Sequence, residues 1–172
     1  SKDREPRLEM LQLNRVVDDA VALVQKQADA AKVVVLADLD DAAPPFPLDY
    51  DGIHQVILNL LTNAVDAVPR GDGLVNVRTR YDVAGKQVIL SVADNGPGVP
   101  EDRRSAVFEP FLSTKGHGGT GLGLAVARKI VGELGGDIEL ISPPEGGAVF
   151  EVTLPTVPAL PASPGDTHGP TP

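Results

Sequence analysis

The sequence predicts an α/β two-layer sandwich, a mixed sheet of about five strands covered on one face by about three helices. Stretches with helical spacing of apolar residues alternate with short runs of strand-like alternation. Their order is helix, strand, helix, strand, strand, helix, strand, strand, which is not the regular repeat of a doubly wound sheet. No internal repeat interrupts that order.

The first residues, S-K-D-R-E-P-R, read as part of a linker remnant over 1–12, and the opening Ser1 in place of Met suggests an excised piece. From Leu13, L-N-R-V-V-D-D-A-V-A-L-V-Q-K-Q-A-D-A-A suits an amphipathic helix. V-V-V-L-A-D-L, 33–39, is a strand. The Pro-rich A-A-P-P-F-P is expected to hold no regular structure until Asp49 or Asp51 caps the next helix, which carries Q-V-I-L-N-L-L-T-N-A-V-D-A-V at 55–68. After the turn R-G-D-G, 75–81 and 88–93 form a hairpin around Ala84 and Gly85. A Gly-rich irregular segment follows, with a short helix candidate at 103–107. A helix from about Leu122 to Leu134 is stopped by Gly135 and Gly136. Strands at 137–142 and 148–154 close the domain, expected over 13–155. From Pro155 on, six Pro in 18 residues predict a disordered tail, assigned to 156–172.

At 172 residues, 42% hydrophobic and 23% charged, the chain suits one domain with a real core. It has no Cys, which excludes disulfides, thiolate metal sites and a cysteine nucleophile. A formal net charge of −9 argues against a nucleic-acid partner, because phosphate affinity comes from clustered Lys and Arg. An anionic ligand would need a local cradle. No apolar run reaches the roughly 20 residues of a membrane span, so no membrane contact is expected of this chain and a cytoplasmic location is.

Three polar features stand out. Asn59, Asn63 and Asp66 interrupt an apolar helix although Asn and Asp are poor helix-interior residues. At 100° per residue they fall within an arc of roughly 60°, beside the apolar arc of Ile53, Val56, Leu60, Ala64 and Ala67. Such a stripe can ligate a hard cation that also bridges phosphates, or simply mark the solvent boundary. D-N-G-P-G, 94–98, follows an apolar strand. Asp94 can accept from an exocyclic amine such as adenine N6, while Gly96 and Gly98 let backbone lie against a flat ligand. The same letters also spell an ordinary turn. K-G-H-G-G-T-G-L-G-L-A, 115–125, enters a helix and is either a phosphate cradle aided by Lys115 or a flexible linker. Gly116, Gly118 and Gly121 match the dinucleotide fingerprint, but no βαβ strand precedes them, and no Walker motif is present. The intervening V-F-E-P-F reads as a lid whose Phe108 and Phe111 either plug the core or touch a nucleotide.

In this order, N-L-L-T-N-A-V-D-A, D-N-G-P-G, F-E-P-F and G-T-G-L-G-L-A resemble the N, G1, F and G2 boxes of the ATP-binding catalytic domain of bacterial sensor histidine kinases, within the wider family that includes gyrase B and MutL. The resemblance covers roughly Leu13 to Pro155 and includes the closing G-G-A-V-F-E-V-T-L-P. It implies a Bergerat-type fold holding Mg-ATP between the N-box helix and a lid. It further implies Asn63 as the Mg²⁺ ligand, Asn59 and Asp66 on the phosphate and sugar side, and Asp94 as adenine selector. Gly96 and Gly98 would border the base, and Ala67, Val107 and Phe111 the nucleotide. Gly119, Thr120, Gly121, Leu122 and Gly123 would wrap the phosphates, with Lys115 reaching the γ-phosphate; Asn59 and Lys115 are the catalytic candidates.

Hydrolysing relatives carry a Glu four residues before the metal Asn, where this chain has Asn59, which cannot take a proton from water. The resemblance therefore implies slow hydrolysis and transfer of the γ-phosphoryl group to a His on a separate dimerisation domain, with a response regulator served indirectly. His54, His117 and His168 lack the acidic neighbour of an acceptor His, so the acceptor is expected outside this chain. The alternatives are an anti-sigma-type Ser/Thr kinase and a degenerate nucleotide-binding module.

Overall fold

The computed structural model describes residues 5–110 and 123–157. Its elements are β1 (Leu8–Leu11), α1 (Leu13–Ala30), β2 (Val33–Asp38), β3 (Phe46–Asp49), α2 (Tyr50–Ala67), β4 (Gly73–Asp82), β5 (Gln87–Asp94), a 3₁₀ turn (Glu101–Ala106), α3 (Gly123–Glu133), β6 (Asp137–Ile141) and β7 (Ala148–Pro155). Five strands form one sheet in the order β2-β4-β5-β7-β6. β2 pairs with β4 in parallel and the other pairs are antiparallel, so the sheet is mixed as expected.

Strand periodicity decides which face is covered. Val75, Val77 and Thr79 on β4, Val88, Leu90 and Val92 on β5, and Phe150, Val152 and Leu154 on β7 are buried at every second position. The helices pack on that one face, with α2 lying between α1 and α3. Seven residues of α2, from Ile53 to Val65, are buried. Each large one contributes about 1.5–3 kcal/mol, whereas an Asn costs a helix only about 0.5 kcal/mol relative to Ala. Core burial therefore holds α2 helical despite its polar stripe.

Chain punctuation follows the local chemistry. Val68, ahead of Pro69, takes an extended conformation (φ −91°, ψ 157°) and ends α2. α3 ends in a Schellman motif, where Gly135 adopts φ +78° and Gly136 N donates to the Val131 carbonyl at 2.9 Å.

Two expectations need correction. The Pro-rich stretch is not irregular throughout, because Phe46–Asp49 forms β3, antiparallel to β1 at Leu8–Leu11 within the expected linker. Phe46 and Leu48 are buried, so the pair anchors the lower end of α2. Pro47 fits because a two-stranded sheet leaves each strand an edge that needs no donor. At the other end, Pro155 is still in β7, opposite Gln87, and Thr156 N donates to the Lys86 carbonyl at 2.9 Å. The strand ladder thus ends at Pro155, the expected last residue of the domain, with one backbone bond beyond it, and residues 158–172 lie outside the described ones.

A polar clip ties α1 to the sheet. Thr79, buried on β4, donates to Asn14 Oδ1 at 2.8 Å and accepts from Asp40 N at 2.9 Å, while Asn14 Nδ2 donates to the Asp40 carbonyl at 3.0 Å. The Asp40 carboxylate accepts from Tyr81 N and Ala42 N, both at 2.9 Å, and these two bonds, Tyr81's the larger effect, lower its pKa below the ordinary carboxylate value. A folded-state pKa below the unfolded one adds stability that is present above the unfolded value and is lost as pH falls through the folded one. Asp40→Asn is therefore expected to melt below the wild type at neutral pH and to converge on it in acid. Thermal melts across pH check this, and a gap that stays constant into acid contradicts it.

Candidate functional site

The site residues on α2 lie on the border between core and solvent. Asn59, Asn63 and Ala67 are half-buried, and Asp66 is exposed. Asn59 Nδ2 donates to the Gly123 carbonyl at 3.1 Å, across 64 residues of sequence, bringing the stripe onto the first residue of α3. A Cβ placed on Gly123 would lie 3.8 Å from the Asn59 amide group, so the two segments are in van der Waals contact. On the other flank, Gln27 Nε2 of α1 donates to Asp66 Oδ1 at 3.0 Å.

Asp94 is the last residue of β5, half-buried between Val75 and Ala148 of the neighbouring strands. Its Oδ1 accepts from Gly96 N at 2.9 Å, which folds D-N-G into an Asx turn. Gly96 brings that turn against the end of α2, where a Cβ would lie 2.6 Å from the Ala67 carbonyl oxygen. Gly98, at φ +78°, backs onto Gly147. The start of α3 therefore meets the polar stripe at Asn59, and the D-N-G-P-G turn meets the last residue of α2, the same helix. Ala67 touches the turn directly.

The F-x-x-F segment is settled in part. Phe108 packs edge-on against Phe150 at a centroid separation of 6.0 Å and carries the Arg128 guanidinium 5.0 Å above its ring. Val107 and Phe108 both pack on the core. Phe108 thus plugs the core, the first of its two expected roles. Phe111, Lys115, Gly119, Thr120, Gly121 and Leu122 lie outside the described residues.

His54 stacks on Tyr50, with centroids 5.5 Å apart, as a residue of the helix start. A groove of about 470 Å³ between β1, the start of α1 and Tyr50 contains none of the predicted site residues. Among the described residues no group of three or more His, Cys, Asp or Glu could hold a metal, and no helix is long and apolar enough to cross a membrane. A cation at Asn63 would accordingly need ligand oxygens from a bound phosphate.

Sequence reasoning missed two side chains at this site. Gln27 holds Asp66 from α1, and Asn95, inside D-N-G-P-G, binds the start of β4 through Asp72 and Leu74. None of the three partners lies within 20 residues of the side chain that binds it.

Known proteins share this architecture. The chain is 38% identical over 169 residues to the sensory histidine kinase/phosphatase NtrB of Rhodobacter capsulatus, covering 90% of this chain and 46% of that protein. It is 35% identical over 158 residues to the signal transduction histidine-protein kinase AtoS of Escherichia coli K12, covering 92% of this chain and 26% of that one. The chain thus spans less than half the length of either relative. The solved catalytic domain of the histidine kinase ThkA superposes with a TM-score of 0.79 at 26% identity, over 87% of this chain and 96% of that domain. A family model described as histidine kinase-, DNA gyrase B- and HSP90-like ATPase matches residues 48–158, which include the stripe, the D-N-G-P-G turn and the glycine cluster. With its fold shared and residues 48–158 matched, the chain belongs to the family of histidine kinase-, DNA gyrase B- and HSP90-like ATPases.

Proposed function

We propose that this chain is the ATP-binding catalytic domain of a sensor histidine kinase, which binds Mg-ATP and donates the γ-phosphoryl group to a His on a separate dimerisation domain of the parent protein. A response regulator is then served indirectly, and the domain works on the cytoplasmic side, where ATP is available. The observation that carries this reading is the hydrogen bond from Asn59 to the Gly123 carbonyl, which joins the stripe to the helix entered from the glycine cluster.

That bond also bears on the choice between transfer and hydrolysis. Asn59 acts as a donor here, and a Glu at this position would set a carboxylate oxygen against the Gly123 carbonyl, two acceptors facing each other. An amide at position 59 suits a site that spares the γ-phosphate from water. Asn63, one turn further along α2, would hold Mg²⁺ together with phosphate oxygens, and the ion when bound neutralises charge on the transferred group. Asp66 would line the sugar and phosphate side, oriented by Gln27. Asp94 would select adenine, with Gly96, Gly98, Ala67 and Val107 bordering the nucleotide. The helix start at Gly123 favours anions, and Phe111, Lys115 and residues 119–122 would complete the cradle from outside the described residues. The protein's part is orientation and electrostatic complementarity without a covalent intermediate.

The test mixes this chain with the separately produced dimerisation domain of its parent, in the presence of Mg²⁺ and ATP labelled at the γ-phosphate. The expected product is an acid-labile, base-stable phosphohistidine on the dimerisation domain, with little free phosphate released in its absence. An acid-stable phosphoester identifies a Ser/Thr kinase instead. Nucleotide binding without any transfer identifies a binding module.

A further inference from the structure

Asn95 occupies the second position of D-N-G-P-G, where its side chain turns away from the stripe and onto β4. Its Oδ1 accepts from Leu74 N at 2.7 Å and its Nδ2 donates to the Asp72 carbonyl at 2.9 Å, while its own N donates to the Leu74 carbonyl at 3.2 Å. One planar group thus meets an acceptor and a donor on the same short piece of backbone. Among side chains of this length only an amide can do that, because a carboxylate has no donor and a hydroxyl cannot span both atoms.

The clip sits at a junction. Asp72 belongs to the turn that leaves α2 after Val68 and Pro69, and Leu74 is the second residue of β4. Asp94 immediately precedes the clip, and Gly96, immediately after it, presses on the Ala67 carbonyl at the end of α2. The chain from Ala67 through Asp72 to Asn95 and Gly96 is therefore a closed loop whose long side is pinned by one amide. Without the side-chain bonds, a single backbone bond from Asn95 N to the Leu74 carbonyl ties the turn to the start of β4, and a shift of the turn there would carry the Asp94 carboxylate with it relative to the stripe.

We propose that Asn95 is a positioning residue for nucleotide specificity: its amide sets the distance of the Asp94 carboxylate from α2, and with it the discrimination of an adenine nucleotide from a guanine one. The proposal rests on the reading of Asp94 as the adenine selector. It assigns Asn95 no contact with the nucleotide.

The experiment measures affinities for ADP and GDP, both with Mg²⁺, by titration calorimetry and by competition, on the wild type, Asn95→Ala, Asn95→Asp and Thr79→Val. Thr79→Val disrupts the α1 clip, remote from the turn, and serves as a destabilised control. Asn95→Ala is expected to weaken ADP roughly five- to tenfold, about the worth of one hydrogen bond, with GDP unchanged, so that the ADP-over-GDP preference falls. Asn95→Asp, which keeps the Oδ1 arm but sets a second acceptor against the Asp72 carbonyl, is expected to lose the preference at least as far as Asn95→Ala. Thr79→Val is expected to lower the melting temperature without moving the preference. Should Asn95→Ala and Asn95→Asp lose melting temperature as the control does and keep the wild-type preference, Asn95 is merely structural. A wild type that binds ADP and GDP alike overturns the adenine reading itself, and this proposal with it.

Discussion

Asp94→Asn is expected to weaken binding of Mg-ADP by roughly 100-fold, about 3 kcal/mol, while barely changing the melting temperature of the nucleotide-free protein. A carboxylate only accepts, so it can take the N–H of Gly96 on Oδ1 and still offer an acceptor to the exocyclic amine of adenine. An amide cannot do both. If its oxygen stays with Gly96, its NH₂ meets the adenine amine donor to donor. If it flips to serve adenine, its NH₂ meets the Gly96 N–H. Either arrangement loses a charge-assisted bond and leaves a donor unmatched, and these two costs together give the stated magnitude. Thermal shift and calorimetry with Mg-ADP against Mg-GDP measure it. Equal stabilisation of the wild type by both nucleotides, or an Asp94→Asn protein that binds Mg-ADP within about threefold of the wild type, contradicts the role given to this carboxylate.

How far this site could be read from sequence depended on the range of the interaction. The stripe was legible because helical periodicity places Asn59, Asn63 and Asp66 together within a single element. Gly96 and Gly98 were read as places where backbone can lie close against a flat ligand. That they also lie against the protein itself, at the Ala67 carbonyl and Gly147, was not legible, because it depends on how three elements pack. Asn95 stood inside a motif read for its neighbours, and its partners belong to a turn and a strand more than 20 positions away. Gln27 was one polar residue among several on the exposed side of α1, with nothing in its surroundings to tie it to Asp66.

The five-stranded sheet and its covered face followed from runs with clear alternation, such as V-N-V-R-T-R-Y. β1 and β3 escaped because four-residue strands carry little period, and because Pro44, Pro45 and Pro47 argue against strand unless the sheet has open edges. The alternation of Phe46 and Leu48, both buried, was the available signal. It was outweighed by the prolines on either side. Phe108 could go either way on sequence, since an aromatic between a loop and a helix suits a core plug and a ligand wall equally; Arg128 and Phe150 decide it.

Gly147→Ala is expected to destabilise the fold by about 2–5 kcal/mol and to weaken Mg-ADP binding further than the lost stability alone requires. From sequence this glycine is one of a pair in a hairpin, P-P-E-G-G, with no visible link to a ligand site. In the structure it is buried at φ +78°, and a Cβ there would run into the carbonyl oxygen of Asp94. Two costs follow, about 1–2 kcal/mol for an L side chain in the left-handed region and about 1–3 kcal/mol for displacing a packed backbone. Its neighbour separates them. Gly146 adopts φ +101°, and a Cβ added to it would meet nothing within 4 Å, so Gly146→Ala carries only the backbone cost. Denaturant unfolding of the two variants should therefore differ by the steric term, and nucleotide titration should show a loss of affinity in Gly147→Ala alone. The displaced atom belongs to Asp94, so the hairpin glycine bears on that residue from behind, where β5 and β7 pair Asp94 with Ala148. If the two variants unfold alike and bind Mg-ADP alike, the contact seen behind Asp94 does not hold that carboxylate in place, and its position must be set by Gly96 and the β4 side alone.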